Sequence, residues 1–454
     1  MKLYNTLTRT KEELKPIKGK EVGIYSCGPT VYSSPHIGNM YAYVCWDVLV
    51  RTLRYLGYEP KQVVNITDVG HLTSDADSGE DKMEKGSKKE GLTVWEIAKK
   101  YEDEFLENLK DLNIESPWIM PKATDNIQEQ IDLIKEIEKN GFTYKTTDGV
   151  YFDTLRFSDY GKFANLNLEK IREGARVEKN EEKKSPQDFA LWKFSPKNEK
   201  RQMEWESPWG VGFPGWHIEC TAMSTKYLGE TFDIHTGGED HINVHHTNEI
   251  AQAWGAFGHN TARVWMHNAF ITFGRSKISK SSGGLYTVKD LMEMGFDPMA
   301  YRYLVLGSHY RKGMEFSLEN LKAAETALNK LRSYKVSSFD KINQTFKQEF
   351  IEAVSNDLAM PEALAVVWKL MKSDIDSQEK WATLLDFDRV LGLNLDKEII
   401  EEEIPGEVNK LIEERQEARK NKNWAESDRL RDLIKEKGYM VEDLEKSCKI
   451  IKIK

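Results

Sequence analysis

The chain has 454 residues, a net charge of −9, 39% hydrophobic and 31% charged residues, which together predict a globular protein of two to four domains. Four cysteines are too few for a disulfide scaffold, and no run of about 20 apolar residues offers a membrane span. The acidic balance argues against nonspecific nucleic-acid binding, although a local basic surface stays open. The first residues carry charge where a secretory signal needs an apolar core, so we expect a cytoplasmic protein.

The first predicted elements lie in and after residues 22–46, a window without charge in a chain rich in it. They are a buried strand, a helix and a second strand, at 22–26, 38–56 and 61–69. Such a unit begins a parallel α/β sheet, whose ligands bind beyond the carboxyl ends of the strands. That position would bring Cys27, His36 and the segment 65–68 together.

Beyond this unit the chain alternates between polar segments and regular elements. Residues 70–92 are polar and predict a surface insertion, whereas residues 143–215 are irregular apart from strand signals at VYFDT and DFALWKF. The α/β character returns from Trp216. The remaining predicted elements are helices at 93–113 and 124–140, strands at FDIHTG and RVWMHNAFITF with a helix near 241–256 between them, and amphipathic helices at 318–336, 345–374 and 404–438.

His245 and Glu249 are four residues apart in a predicted helix, so both side chains lie on one face and can reach one metal ion. Their donor atoms suit zinc, and thiolates from Cys27 and Cys220 would complete a soft four-ligand site. An ordinary pair on a helix surface is the alternative for His245 and Glu249.

Two other histidines and two other cysteines of the sequence could be compared with this ligand set. His241 and His246 are rival ligands, because His241 also stands four residues before a histidine. Cys45 lies in the apolar stripe of a predicted helix and fits a small core residue. Cys448 lies in a charged tail, where we expect a free thiol.

Two segments suit phosphate groups. His36, Gly38 and Asn39 open the helix after the first strand, where free backbone N–H groups and the helix dipole favour an anion. Lys277 and Lys280 lie in a loop rich in glycine and serine, from which two ammonium groups could stabilise the charge on a departing pyrophosphate. The spacing of that loop is not that of a Walker A motif.

The order and joint presence of several stretches, from residue 25 to about 432, resemble cysteinyl-tRNA synthetases, a family of class I aminoacyl-tRNA synthetases. PHIGN corresponds to the HIGH signature of that class and KISKS to its KMSKS signature. The matching stretches are YSCGPTVYSSPHIGN, VVNITDV, GWHIECTAMS, DIHTGGEDH, HHTNEIAQA, KISKSSGG, NDLAMPEALAV and ERQEARKNKNWAESDRLRD.

The resemblance implies a role for each matching residue. The implied zinc ligands are Cys27, Cys220, His245 and Glu249. The implied ATP contacts are His36, Gly38, Asn39, Gly237, Gly238, Asp240, Lys277 and Lys280. Those with a catalytic role are His36, Asn39, Lys277 and Lys280. The implied contacts to the amino acid are Gly28, Thr67 and Trp216.

The implied activity is ATP-dependent conversion of L-cysteine to cysteinyl-adenylate, followed by transfer to tRNA(Cys), with one zinc ion selecting the thiolate and magnesium accompanying ATP. We expect a monomer without a membrane partner. The implied fold is α/β, a Rossmann-like parallel-sheet catalytic domain split by an insertion and followed by an all-α C-terminal region. Its expected segments are two catalytic halves at 1–125 and 216–265, a connective insertion at 126–215, a KMSKS-loop and stem-contact region at 266–320, a helical bundle at 321–404 and an anticodon-binding region at 405–454.

The sequence departs from the family pattern at several places beside the site. Asn39 replaces the second histidine of HIGH, and Ile278 replaces methionine in KMSKS, a swap that conserves volume. HINVHH lies where the family commonly has LxFPHH. After NITDV the chain continues into an insertion, where the family has DDK. The tail SCKIIKIK does not match the family ending, so tail contacts to an anticodon are not expected from it.

Three other functions share parts of this pattern. A ligase that joins cysteine to an amino sugar would use the same core, whereas a non-enzymatic zinc protein that binds RNA would have no use for Lys277 and Lys280. A zinc hydrolase would need a general base beside the metal. Residues 405–454 favour tRNA, because they hold 13 Lys and Arg against 11 Asp and Glu. The residues of interest there are Arg415, Arg419, Lys420, Lys422 and Trp424.

Overall fold

The computed structural model describes residues 1–70, 81–166, 182–196, 201–273, 286–337, 341–396, 405–421, 423–443 and 448–452. Its strands are β1 (Lys2–Asn5), β2 (Thr10–Glu13), β3 (Glu21–Ser26), β4 (Glu59–Val64), β5 (Thr143–Lys145), β6 (Gly149–Phe152), β7 (Ala190–Phe194), β8 (Gly212–Pro214), β9 (Phe232–Gly238), β10 (Ala262–Asn268), β11 (Ile271–Phe273), β12 (Met314–Phe316), β13 (Tyr439–Asp443) and β14 (Cys448–Lys452). Its α-helices are α1 (Ile37–Tyr55), α2 (Lys82–Glu90), α3 (Val94–Asp111), α4 (Ile127–Lys139), α5 (Trp216–Leu228), α6 (Asp240–Asn243), α7 (His245–Phe257), α8 (Val288–Glu293), α9 (Pro298–Leu306), α10 (Leu318–Arg332), α11 (Gln344–Ser355), α12 (Met360–Lys372), α13 (Ser377–Leu391), α14 (Gly406–Lys420) and α15 (Trp424–Glu436).

A parallel four-stranded sheet in the order β10–β9–β3–β4 organises the first half of the chain. Val22, Ile24 and Tyr25 of β3 are fully buried, as expected of a strand covered on both faces. The chain runs outward from β3 to β4 through α1, and outward from β9 to β10 through α7. The direction of winding therefore reverses between β3 and β9, and ligands of such sheets bind at this switch point.

Helix α1 begins at a reciprocal cap formed by His36 and Asn39, and the chain turns away at Gly57, whose φ is 85°. The helix is buried along most of its length and packs against β4, α9 and α13. Helix α1 therefore holds the segment between β3 and α1 in a fixed position.

Between α4 and α5 the chain forms an antiparallel sheet in the order β5–β6–β7–β8. The strand signals at VYFDT and DFALWKF are confirmed as β6 and β7. The sequence did not reveal β5 and β8, because strands of three residues are too short to show an alternating pattern.

A buried arginine joins the helical part of the chain to α1. Arg302 of α9 is fully buried, donates to the carbonyls of Leu391 at 2.7 Å and Leu112 at 3.1 Å, and forms an ion pair with Asp47 of α1. Asp47 also accepts from Arg51 Nε at 2.7 Å. This network holds the start of the helical region against the sheet domain.

The chain divides into two compact units, Met1–Val288 with Pro298–Leu395, and Lys289–Asp297 with Asp396–Lys454. In the second unit α14 and α15 pack on each other, and β13 pairs with β14 as an antiparallel hairpin. Their small core is Val408, Ile412, Ile434, Tyr439 and Val441.

The α/β class with a Rossmann-like sheet and a helical C-terminal region is confirmed.

The sequence predicts one continuous helix in each of the segments 345–374 and 404–438, and both predictions are wrong. The segment 345–374 breaks at Asp357 and Leu358, whose φ values of 62° and 53° cannot continue a helix. The segment 404–438 breaks between α14 and α15. Across the described ranges, no helix combines the length and the apolarity needed to cross a bilayer.

Candidate active site

One cavity of about 570 Å³ lies at the switch point between β3 and β9. The residues that follow β3, the start of α1 and the end of β9 line it together. Of the residues predicted for the site, those that line the cavity are Cys27, Gly28, His36, Gly38, Asn39, Thr67, Trp216, Cys220, Gly237, Gly238, Asp240 and His245. Lys277 and Lys280 lie outside the described residues.

Four side chains from distant parts of the sequence meet at one corner of this cavity, where Cys27, Cys220 and His245 belong to its lining and Glu249 lies behind them. Cys27 follows β3, Cys220 lies in α5, and His245 and Glu249 lie one turn apart in α7. One donor atom from each lies within 4.8 Å of the others. The geometry thus brings the four predicted zinc ligands together.

The chemistry of this corner fits a soft divalent cation. Two sulfurs, one imidazole nitrogen and one carboxylate oxygen form a donor set typical of zinc. Glu249 Oε1 is buried and lies 3.2 Å from His245 Nε2, without a well-formed hydrogen bond to any described residue. Burial raises the pKa of the Cys27 thiol well above its usual value, and the neighbouring Cys220 raises it further. A thiol in such surroundings stays protonated at neutral pH unless a cation coordinates it.

A second donor set overlaps with the first, namely Cys27, His235, His246 and Glu249. Its members bond to one another or to a neighbouring histidine. His235 Nε2 lies 2.9 Å from Glu249 Oε2, and His246 lies 3.3 Å from Cys27 Sγ and 2.7 Å from His267 Nε2. Of the two rival histidines, His246 therefore belongs to the alternative set, whereas His241 belongs to neither set.

Burial and the surrounding histidines lower the pKa of His246 well below its usual value, so this ring is neutral at physiological pH. Its Nδ1 and His267 Nε2 share one hydrogen bond, and His267 Nδ1 shares another with Thr6 Oγ1 at 2.8 Å. These neutral histidine rings hold the wall of the cavity behind the four predicted zinc ligands in place.

The segments around Gly28 and Thr67 are bound to each other by backbone hydrogen bonds. Thr67 N donates to Pro29 O at 3.0 Å, and Val31 N donates to Thr67 O at 3.1 Å. A Cβ at Gly28 would lie 1.5 Å from the backbone oxygen of Asn65, so only glycine fits there. The predicted amino-acid contacts therefore have fixed positions beside Cys27.

Trp216 begins α5 and closes the same corner. Its ring centroid lies 4.6 Å from that of His245 and 5.3 Å from that of His217. His217 Nδ1 and His245 Nδ1 lie 2.8 Å apart, which holds the predicted ligand ring in place.

His36 and Asn39 stand at the other end of the cavity. Asn39 N donates to His36 Nδ1 at 3.1 Å, and His36 N donates to Asn39 Oδ1 at 3.1 Å. Partial burial lowers the pKa of His36, so the ring is neutral at physiological pH. Because Nδ1 accepts a backbone N–H, the ring proton is assigned to Nε2, which can donate to a phosphate oxygen.

Gly237 and Gly238 end β9 and give the cavity its second backbone wall. A Cβ at Gly237 would lie 2.7 Å from the rings of His241 and His246, and one at Gly238 would lie 2.3 Å from Asp240 Oδ1. A side chain at Gly237 would displace two histidine rings, of which His246 is fully buried, and one at Gly238 would displace Asp240, so glycine leaves the backbone open to a nucleoside here.

Local pattern indicates the segment 65–68, which includes Asn65, but it does not single out four other polar residues that support this site. They are His217, Glu219, His235 and His267. A signal for Glu219 was available, because Trp216, Glu219 and Cys220 follow helical spacing and share one face of α5. His235 lies on the same face of β9 as Asp233 and Gly237, and this pattern does not predict which side chains His235 contacts.

The second unit holds the other residues singled out for a nucleic-acid surface. Trp424 is 58% exposed, and the Arg419 guanidinium lies 5.9 Å from its ring centroid. Arg415 is only 1% exposed and cannot belong to an open face. Lys422 lies outside the described residues.

Comparison with known proteins gives matches over nearly the whole chain. Residues 13–326 match the family described as tRNA synthetases class I (C) catalytic domain, and residues 401–448 match the cysteinyl-tRNA ligase anticodon binding domain. The chain is 49% identical to cysteine–tRNA ligase 1 of Burkholderia lata, over 97% of this chain and 94% of the relative. It is 44% identical to the cysteine–tRNA ligase of Treponema denticola, over 98% of both chains.

Among solved structures, the chain resembles methionyl-tRNA synthetase of Mycobacterium tuberculosis in complex with methionyl-adenylate. The TM-score is 0.56 at 13% identity, with 83% of this chain and 90% of the other covered. A likeness at this identity concerns the fold alone.

Proposed function

Because the chain belongs to the cysteinyl-tRNA ligase family of class I aminoacyl-tRNA synthetases, we propose that it joins L-cysteine to tRNA(Cys) with ATP, and that a zinc ion selects the substrate thiol. The observation that carries the proposal is a single cavity that joins a corner of two thiols, an imidazole and a carboxylate to the start of α1. A cysteine side chain would bind at the first end and a triphosphate at the second.

In the first step, a carboxylate oxygen of cysteine attacks the α-phosphorus of ATP, and the bond from that phosphorus to the bridging oxygen of pyrophosphate breaks. The products are cysteinyl-adenylate and pyrophosphate, which leaves with magnesium. His36 Nε2–H and the amide end of α1 would stabilise the phosphate oxygens during the attack. Lys277 and Lys280 would stabilise the departing pyrophosphate.

In the second step, a ribose hydroxyl at the 3′ end of tRNA attacks the carbonyl carbon of the adenylate. The bond between that carbon and the phosphate oxygen breaks, and AMP leaves with the hydroxyl proton. No enzyme side chain becomes covalently attached. The residues of the chain therefore act by holding the two reactants in line and by stabilising charge.

The zinc ligands in this proposal are Cys27, Cys220, His245 and Glu249. Zinc binds a thiolate strongly and a hydroxyl weakly, and so distinguishes cysteine from serine. Shape alone would give only about 1–3 kcal/mol for such a small difference between substrates. The proposal therefore needs no editing site in the segment that holds β5–β8.

The match of residues 401–448 to an anticodon-binding domain favours tRNA over an amino sugar as the acceptor. Within the second unit, we assign the anticodon contacts to the exposed Trp424 and the half-buried Arg419 beside it. An aromatic ring and a guanidinium can both stack on a base that has left its helix.

Cysteine-dependent exchange between ATP and pyrophosphate tests the first step, with serine as the control. We expect exchange with cysteine and at least about 10⁴-fold less with serine, a discrimination that makes an editing site unnecessary. Attachment of cysteine to tRNA(Cys) tests the second step. Exchange without attachment would favour the amino-sugar ligase, and absence of both would contradict the proposed function.

A further inference from the structure

Three polar side chains beside the proposed amino-acid site form a hydrogen-bonded series in which each donor and acceptor can be assigned. The series begins at Asn65, in the loop after β4. Gly28 N donates to Asn65 Oδ1 at 2.8 Å. A backbone amide can only donate, so the oxygen of the Asn65 side chain must face Gly28 and its nitrogen must face the other way.

Thr67 receives the other end of that amide. Asn65 Nδ2 donates to Thr67 Oγ1 at 3.0 Å. An amide nitrogen cannot accept, so the hydrogen of the Thr67 hydroxyl is available for another group. That group is Glu219, whose Oε2 accepts from Thr67 Oγ1 at 2.9 Å.

The position of Glu219 makes this arrangement rigid. Its side chain is fully buried in α5, immediately before Cys220 and one turn after Trp216. Asn65 and Thr67 are also almost completely buried, at 1% and 2% exposure. Water therefore has little access with which to reorient the threonine hydroxyl.

A hydroxyl group has one hydrogen and two lone pairs. At Thr67 the hydrogen goes to Glu219 and one lone pair goes to Asn65, so one lone pair is left for the cavity that Thr67 lines. A group bound there must donate. The α-ammonium of an amino acid donates hydrogen bonds, whereas its carboxylate only accepts them.

We propose that Glu219 is a positioning residue that makes Thr67 an acceptor for the α-ammonium group of the substrate, so that the substrate carboxylate points toward the His36 end of the cavity. This inference rests on the proposed function, since it assigns an orientation to the amino acid.

Glu219→Gln is the informative variant. Glutamine keeps the size of the side chain but removes its charge, and its amide can turn to offer hydrogens to Thr67 in place of an oxygen. The Thr67 hydroxyl then loses its fixed polarity. The three probes are L-cysteine, cysteamine, which keeps the thiol and the ammonium, and 3-mercaptopropionate, which keeps the thiol and the carboxylate.

Equilibrium binding of the three probes to the metal-loaded protein, measured by calorimetry without ATP, tests the inference. We expect Glu219→Gln to weaken L-cysteine and cysteamine by about tenfold or more, the loss typical of a hydrogen bond to a charged group. Binding of 3-mercaptopropionate should change less than about twofold, and the zinc content should stay constant. Thr67→Val should weaken the binding of L-cysteine and cysteamine in the same way. Thr67→Ser keeps the hydroxyl group and should bind all three probes as the unchanged protein does.

Asp233→Asn is the matched control. Asp233 is also a buried carboxylate, but it lies near the start of β9 and accepts from Ile17 N and Gly23 N, both at 2.8 Å. Its variant should bind all three probes as the unchanged protein does. Equal weakening of the three probes by Glu219→Gln, loss of zinc, or no weakening at all would each overturn the inference. The binding measurements contain no ATP and do not depend on the exchange reaction. If the protein failed to catalyse exchange, that result would contradict the proposed function, whereas the comparison of the three affinities would still test the role of Glu219.

Discussion

Asn39 N donates to His36 Nδ1, and His36 N donates to Asn39 Oδ1, both at 3.1 Å, so the two residues cap the first turn of α1 reciprocally. This relationship explains how asparagine can stand where the class I signature has its second histidine. The asparagine oxygen supports the cap that directs His36 Nε2 away from the helix. Its side chain is neutral and does not oppose a phosphate.

We therefore expect Asn39→Ala to destabilise the protein by roughly 1 kcal/mol through loss of half the cap. It should also lower the rate of cysteine-dependent pyrophosphate exchange by about tenfold or more. The backbone of His36 loses its hydrogen bond to Asn39 Oδ1 and the ring shifts with it, although the amide of residue 39 still donates to His36 Nδ1. Asn39→Asp should keep the cap and the stability but raise the KM for ATP, since it places a negative charge beside the phosphates. Thermal unfolding and exchange kinetics together check both variants. Unchanged exchange in Asn39→Ala would contradict the role of the cap.

Cys27→Ser and His245→Ala should lose zinc and cysteine activation together. Loss of one ligand should weaken the metal by at least about 100-fold, more than the effect typical of residues that only support a ligand. Metal analysis of the purified variants and exchange kinetics give the two readouts. Cys45→Ala is the control, because Cys45 is buried in α1 and belongs to neither donor set. A variant that is free of zinc but fully active would refute the proposed selectivity.

His246→Ala distinguishes the two overlapping donor sets. If zinc binds to Cys27, Cys220, His245 and Glu249, this variant should retain most of its metal, since His246 then only supports Cys27. If the alternative set binds the ion, His246→Ala should lose zinc and His245→Ala should retain it. Measured zinc content decides between the two patterns.

Asp47→Asn should destabilise the protein by about 3 kcal/mol or more, since it removes the negative partner of an arginine that stays buried. Arg302 is fully buried, and burial lowers the pKa of its guanidinium, with Asp47 opposing that shift. Urea unfolding of the full-length protein measures the loss. Asp103→Asn is the control, because its ion pair with Lys99 lies on the exposed surface of α3 and should contribute nothing measurable. Equal stabilities of the two variants would contradict the role given to the buried network.

Trp424→Ala should raise the KM for tRNA(Cys) by about fivefold or more, the loss expected for one stacked base. Exchange kinetics and thermal stability should stay unchanged, because the ring is 58% exposed and supports no core. Trp95→Ala, at another exposed tryptophan in α3, controls for a general effect of removing a surface ring. A loss of pyrophosphate exchange in Trp424→Ala would contradict its assignment to tRNA alone.

The fold class and the residues of the candidate site could be predicted from the sequence. The apolar run of β3, the helical spacing of α1 and the signature segments that follow them depend on neighbouring residues, and local pattern is sufficient to predict such features. His245 and Glu249 could be paired for the same reason, since one helical turn separates them.

The contacts between distant residues and the directions of their hydrogen bonds could not be predicted in this way, because they depend on how the elements pack in three dimensions. Cys27 and Cys220 approach each other because β3 and α5 pack around one switch point, and no spacing along the chain contains that information. The break at Asp357 and the buried place of Arg415 likewise follow from packing, which overrides helical propensity and charge. Glu219 has no motif of its own, because its importance arises from the orientation that Gly28 imposes on Asn65 and Asn65 imposes on Thr67.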